Sequence, residues 1–283
     1  MDYGCVFVEI SHLEMQYIVA ALAVFGWWWF TSDRSGSKEN GGGRRIAMSS
    51  SGHVTKVDDC DLPHFTFSRT LSPDVALNVG IFDVTVEHGD DDSIEVSCDC
   101  TQETWNSLKS QFESFDRSLK LVFPATAPYA CYGERRIKLK LSHLSKYVHV
   151  VTTWGDVHIS GIHSPIDIMV NSDGGNVVLR DLRIMSGTVR VATTSGDVNM
   201  DSVDALSQDV RTINGDISLY RCSASYYIHA ISRSGDICFL YCRSNTAKLL
   251  TDRGNVTAQH CTGSGQVQGG AFLLHNAPGY LRS

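Results

Sequence analysis

The sequence predicts an all-β protein built as a parallel β-solenoid (β-helix) of about six or seven coils. Three observations carry this expectation. Glycines recur at Gly155, Gly175, Gly196, Gly215, Gly235 and Gly254, at intervals of 20, 21, 19, 20 and 19 residues. The residues flanking each glycine repeat with it. A period of ~20 residues is too short for a helical-hairpin repeat or a propeller blade, and it suits one solenoid coil.

The repeated columns define the coil. Each glycine is followed by Asp or Asn: Asp156, Asn176, Asp197, Asp216, Asp236 and Asn255. Next but one come Val157, Val177, Val198, Ile217, Ile237 and Val256, with Ile159, Leu179, Met200, Leu219, Phe239 and Ala258 two further on. Ahead of each glycine stands a hydroxyl, at Thr152, Ser172, Thr193, Thr212, Ser232 and Thr251. Such a segment enters as a strand with alternate residues inward, turns at the Gly-Asp pair, and leaves as a second strand. Glycine is expected there for a positive φ, and Asp or Asn for bonding its own backbone. With coils ~4.8 Å apart, equivalent residues form ladders.

Ahead of the repeats, composition divides the chain. Residues 1–31 are expected to be a membrane anchor. Tyr17–Phe30, "YIVAALAVFGWWWF", is wholly apolar, and the stretch from Leu13 to Phe30 is 18 residues long. At ~1.5 Å per residue it reaches about 27 Å, against a hydrocarbon core of ~30 Å. Trp27, Trp28 and Trp29 would sit at one interface, where indoles partition well. A secretory signal opens on positive charge and ends in small residues, whereas this segment opens on Asp2, Glu9 and Glu14. A single retained span is therefore expected; an apolar helix packed on a partner is the competing account. Lys and Arg follow the segment, at Arg34, Lys38, Arg44 and Arg45, and none precede it. The positive-inside rule then places the bulk of the chain on the cytoplasmic or matrix side, at the mitochondrial inner membrane if the source is eukaryotic.

Residues 32–61 are rich in Gly and Ser and read as a flexible linker. Residues 62–147 read as an N-terminal β portion. "VALNVGIFDVTVEHG" alternates like two short strands and "SIEVSCD" like a third. A helix is expected around 102–117, because Trp105, Leu108, Phe112, Phe115 and Leu119 form one apolar stripe. Repeats occupy 148–274 and 275–283 is a tail; "GGAFLLHNAPGYLRS", Gly269 to Ser283, could cap the last coil or dock on a partner.

A further column follows each glycine by seven: Ile162, Leu182, Val203, Cys222, Cys242 and Cys261. The three cysteines are expected to act as small core hydrophobes. Three stacked ligands on one ladder cannot surround a tetrahedral zinc without a fourth group, and their parallel Cβ vectors make disulfides awkward. Nine cysteines in a chain of this length point to reduced thiols.

The repeats "TTWGDVHIS", "TTSGDVNMD", "RTINGDISL" and "SRSGDICFL" resemble the putative-adhesin family of unknown function. Its members carry Gly-Asp coils and typically open with a pair like "LNVGIFDVTVEHGDDDSIEV", here Leu77 to Val96. The resemblance spans roughly residues 65–274. It implies a β-solenoid, often tethered to a membrane, in bacteria and in some eukaryotic mitochondrial proteins. It supplies no catalytic residues. The helix near Trp105 and the Trp-rich anchor depart from the family pattern.

Asp197, Asp216 and Asp236 stack in successive coils, at ~1 kcal/mol of repulsion per neighbouring pair in water. They are turn residues first. A bound Ca²⁺ and a carboxylate pair for polysaccharide cleavage, through Asp197 and Asp216, are the sharper readings. The calcium β-roll motif is missing, and no His or Lys recurs beside the ladder. A P-loop, a dinucleotide fingerprint, H-E-x-x-H and G-x-S-x-G are missing too. Net charge is −7, so a nucleic-acid partner is not expected. The apolar anchor, and a repeat whose every column has a packing role, thus point to a non-enzymatic, membrane-anchored solenoid without cofactor, serving as scaffold or accessory subunit of a membrane complex. An adhesin-like binding module at a surface or envelope is the alternative, and a polysaccharide-cleaving β-helix enzyme a weaker one.

Overall fold

The computed structural model describes residues 63–282, apart from 71–73, 91, most of 103–118, 123–130, 143–145 and 165. The expected anchor at Leu13–Phe30, with Trp27, Trp28 and Trp29, and the linker at 32–61 lie outside the described residues. Among the described residues no helix is long and apolar enough to cross a membrane.

Asp61–Ser283 forms one unit. Its first strands are β1 (His64–Thr70), β2 (Asp74–Asn78), β3 (Asp83–His88), β4 (Ser93–Cys100), β5 (Leu119–Val122) and β6 (Cys131–Leu141). The next are β7 (Tyr147–Thr152), β8 (Val157–Ser160), β9 (Asp167–Ser172), β10 (Val177–Thr193), β11 (Val198–Thr212) and β12 (Ile217–Tyr220). The series closes with β13 (Ser223–Ser232), β14 (Ile237–Leu240), β15 (Arg243–Thr251), β16 (Val256–Gln259), β17 (Thr262–Gln268), β18 (Phe272–His275) and β19 (Tyr280–Arg282).

The period-2 patterning that sequence predicts is what buries each strand. In β7 the side chains of Val148, Val150 and Thr152 are buried and their neighbours are half-exposed. Pairing then runs in parallel from coil to coil, in two long stacks. One stack joins the strands entering each turn: β7, β9, the end of β10, the end of β11, β13, β15 and β17. The other joins the strands leaving it: β8, the start of β10, the start of β11, β12, β14 and β16. This is a parallel β-solenoid of about six turns, with its core between the stacks. Val150, Val170, Val191, Val210, Ala230 and Leu249 form one inward ladder, and each is at most 2% exposed. Facing it are Ile159, Leu179, Met200, Leu219, Phe239 and Ala258, equally buried.

The stacks extend beyond the glycine repeats at both ends. β2 pairs in parallel with β7 and β3 with β8, so Asp74–His88 makes a further rung. On the far side of that rung lie β5 and β6, which come later in the chain. The spatial order of coils therefore departs from chain order here. β4 then pairs antiparallel on β6, and β1 antiparallel on β4, which ends the parallel stack. Of the helix expected around 102–117, one helical turn is described: the Trp105 N–H bonds the Thr101 carbonyl at 2.9 Å. Trp105 is buried and its ring stacks on Phe65, with centroids 5.2 Å apart. At the other end β18 and β19 add a last rung on β16 and β17. Tyr280 turns inward there and fills the space above Gly265, 6% exposed.

The role expected of the turn glycines needs correction. Gly155, Gly175, Gly196, Gly215, Gly235 and Gly254 do not adopt positive φ. What they require is room. A Cβ built on Gly196 would fall well inside contact distance of the Gly175 carbonyl oxygen, and the same holds from coil to coil along the ladder. The left-handed conformation sits instead at the next corner, six residues on. It is taken by Gly161 (φ 67°), Asp181 (47°), Ser202 (58°), Arg221 (53°), Tyr241 (56°) and His260 (53°). A left-handed non-glycine residue costs about 1–2 kcal/mol, so this corner is strained in most coils.

The two corners should respond oppositely to substitution. Gly196→Ala is expected to lower stability by about 2 kcal/mol or more, because backbone must move to admit the methyl. Ser202→Gly is expected to raise stability by up to ~1 kcal/mol, by relieving the positive φ. Urea unfolding of both variants checks the contrast.

Candidate functional site at the turn ladders

The polar residues most suited to chemistry are gathered along the turns, in three ladders. The first is the carboxylate ladder. Asp156, Asn176, Asp197, Asp216 and Asp236 are exposed, and each side chain reaches into the next coil. Asp156 Oδ1 accepts from the Asn176 N–H at 2.7 Å, and Asn176 Oδ1 from Asp197 at 3.0 Å. Asp197 Oδ1 accepts from Asp216 at 2.8 Å, Asp216 Oδ1 from Asp236 at 2.7 Å, and Asp236 Oδ1 from Asn255 at 2.7 Å. The expected bond to each residue's own turn is thus replaced by one to the neighbouring coil. The reason lies in the pairing. At the corner a ladder N–H has no carbonyl partner, and an unpaired backbone donor is costly. A short carboxylate or amide side chain directed along the stack supplies the acceptor. Asp83 extends the ladder one rung back, accepting from the Asp156 N–H at 2.9 Å. Asp83 was readable in "IFDVTV", but Phe82 precedes it where glycine stands in the other coils.

Asp197, Asp216 and Asp236 therefore stand in file, each with one oxygen committed to a backbone N–H. Among the described residues no three His, Cys, Asp or Glu side chains are grouped so as to hold a metal ion.

The second ladder is hydroxylic and buried. Thr152 Oγ1 donates to the Gly155 carbonyl at 2.9 Å, and Thr193 Oγ1 to that of Gly196 at 2.6 Å. Thr212, Ser232 and Thr251 bond instead the glycine carbonyl of the preceding coil. Thr212 Oγ1 also accepts from the Gly215 N–H at 2.9 Å and lies 2.9 Å from the Thr193 hydroxyl oxygen. A hydroxyl both donates and accepts, so one side chain can close its own turn and join the next. Val79, buried, takes this inward place in the rung ahead of the repeats.

The third ladder is Cys222, Cys242 and Cys261, all buried and none in a disulfide. Each thiol points at backbone carbonyls: Cys222 at Met200 and Tyr220, Cys242 at Leu219 and Leu240, Cys261 at Phe239 and Gln259. Burial pushes the Cys242 thiol far up, and the adjoining Cys222 thiol pushes it further. Burial likewise raises Cys261. Thiols held protonated are poor nucleophiles and poor metal ligands. Gln208 is also buried, its Nε2 donating to the Val203 carbonyl at 2.9 Å and the Ser223 carbonyl at 2.8 Å.

Sequence reasoning missed a fourth feature, an exposed ridge along the left-handed corner. Arg221 grips the Asp201 carboxylate, Nη2 to Oδ1 at 2.8 Å and to Oδ2 at 3.1 Å. Its guanidinium lies 4.6 Å from the Tyr220 ring centre. Partial burial alone would raise the Asp201 carboxyl, but the Arg221 bonds and charge, with the Ser202 hydroxyl, hold it below the usual range. Tyr220 meets Tyr241 edge-on, Tyr241 stacks on His260 at 4.9 Å, and His260 meets His275 edge-on. The signal was faint: neighbours at this corner share a backbone conformation, not a residue type. Trp154 is a separate exposed aromatic, 66% accessible, lying over Gly174.

If the carboxylate ladder serves the backbone, Asp216→Asn keeps the acceptor and should leave stability within about 0.5 kcal/mol of the parent. Asp216→Ala orphans the Asp236 N–H and should cost ~1–2 kcal/mol. Urea midpoints of the two variants separate the cases. The raised thiols predict that Cys242 and Cys261 resist alkylation by iodoacetamide at pH 8 in the folded chain and react fully in denaturant. Mass mapping of labelled peptides reads this directly.

A solved structure named "putative adhesin", from Bacteroides fragilis, is 13% identical, with a TM-score of 0.47 over 77% of this chain and 97% of that one. Another, named "Putative lipid binding protein", from Parabacteroides distasonis, is 14% identical, with a TM-score of 0.46 over 78% of this chain and 96% of that one. No curated protein matches the chain. The model of the Toastrack DUF4097 family matches residues 91–270, more than half of the sequence. The chain belongs to the Toastrack DUF4097 family.

Proposed function

We propose that this protein is a non-catalytic, membrane-anchored binding module that works as a scaffold or accessory subunit of a membrane complex. The observation that carries the reading is the commitment of the repeat's polar residues. Carboxylates cap backbone N–H groups, hydroxyls close turns, and thiols face carbonyls. The residues that would have to do chemistry are holding the coils together. What remains free is surface: flat strand faces, the ridge at Tyr220, Tyr241 and His260, and exposed Trp154 and Tyr226. Rigid sheets edged with tyrosine, tryptophan and arginine suit protein contact, where these residues carry much of the binding energy.

The anchoring part of the proposal rests on the apolar stretch Leu13–Phe30 and its flanking charge. It places the solenoid on the cytoplasmic or matrix side, with lipid and other subunits as partners. Gentle detergent extraction from native membranes is expected to bring down a stoichiometric complex containing other chains. Recovery without any other chain, together with complete extraction by alkaline carbonate, would overturn both halves of the reading.

A further inference from the structure

Two imidazoles at the left-handed corner face a single point. His260 takes that corner after β16, and Asn276 takes it after β18, at φ 53° and 48°. His275 ends β18, aligned with Gln259, and stands just ahead of Asn276. Asn276 Nδ2 lies 3.3 Å from His260 Nδ1 and 3.3 Å from His275 Nε2. An amide N–H can only donate, so each ring meets it with a lone pair. One positively polarised group thus sits between two imidazole lone pairs. A metal cation asks for the same arrangement.

The main chain sets this convergence. The His260 N–H donates to the His275 carbonyl at 2.9 Å, and the Cys261 N–H to the Asn276 carbonyl at 3.1 Å. These bonds prolong the parallel pairing of β16 with β18, so the two corners are held in register by backbone. Tyr241 stacks on His260 with centroids 4.9 Å apart and planes 6° apart, which fixes the plane of that imidazole. The centroids of His260 and His275 are 5.5 Å apart. Two imidazoles on one tetrahedral metal, bound at ~2.1 Å, hold their centroids roughly 5 Å apart. The rings therefore need to draw in only slightly. All three side chains stand outside the core, where rotation about χ1 and χ2 supplies that movement.

We propose that His260, His275 and Asn276 form a binding site for a divalent transition metal of the zinc, nickel and copper class. Imidazole nitrogens select that class over calcium and magnesium, which take oxygen ligands. The Asn276 amide supplies a third donor by turning over, which brings Oδ1 to the place of Nδ2, and water completes the shell. The set draws on two histidines and an amide, so the Asp and Cys ladders take no part. Bound there, the metal would tie the corner after β16 to the corner after β18 and lie at the end of the exposed ridge.

The test uses the full chain in detergent micelles, freed of metal by chelation, with zinc chloride as the probe in a calorimeter. The parent is expected to take up one more zinc per chain than either H260N or H275A. Asparagine tolerates the left-handed backbone at 260, and residue 275 is exposed, so both variants keep the fold. A zinc-free urea midpoint close to the parent's confirms this. N276D replaces the amide by a carboxylate and should tighten the site about tenfold or more. With cobalt(II) in place of zinc, the absorption that H275A loses should lack a thiolate-to-cobalt charge-transfer band. Equal zinc uptake in the parent, H260N and H275A would overturn the proposal. So would such a band, which would assign the metal to cysteine. An affinity unchanged in N276D would overturn the part given to Asn276.

Discussion

Backbone lying on backbone at the glycine corner sets the spacing of this solenoid. From Gly175 onward each turn glycine rests against the carbonyl of the one before it, and Gly155 against that of Phe82, with no space for a methyl group. The closeness lets a side chain as short as Asp reach the next coil's N–H at 2.7–3.0 Å. It also brings Thr212 within reach of both its own turn and the Gly196 carbonyl. A larger residue at the corner would part the coils, and the bonds around it would fail together. The glycine, hydroxyl and carboxylate columns are therefore one device.

The second corner follows a different rule. It bends by a left-handed residue, and most coils accept the strain of a side chain there. In return the chain projects Arg221, Tyr241 and His260 outward at a defined angle, and consecutive residues stack along the axis. One corner holds the coils and admits almost no variety; the other admits variety and forms the exposed ridge.

Much of this was legible in the sequence, for a physical reason. A solenoid asks the same question at every coil, so residues answering it recur, and Gly155 through Gly254 could be read by spacing alone. The inward ladders followed from strand alternation. The reasons behind the columns were less legible. Asp197 bonding forward and Asp197 bonding its own turn leave the same letter in the chain, and only geometry separates them. Glycine for space and glycine for positive φ are likewise one symbol. The ridge at Tyr220, Tyr241 and His260 escaped because its common property is a torsion angle. The placement of β5 and β6 escaped because pairing across a non-sequential rung leaves no periodic trace.

That placement bears on how the molecule forms. Most coils pair with the next about 20 residues along, so they can assemble by zipping from a neighbour already in place. The rung at Asp74–His88 is different, since it is clasped between β5–β6 and β7–β8. During synthesis it leaves the ribosome ahead of both of its neighbours and must wait for them. Residues 74–141 thus enter the fold by long loop closures, which are slower than local pairing. The repeats offer a ready template to which this portion docks, and the end that is read first is the end that is finished last.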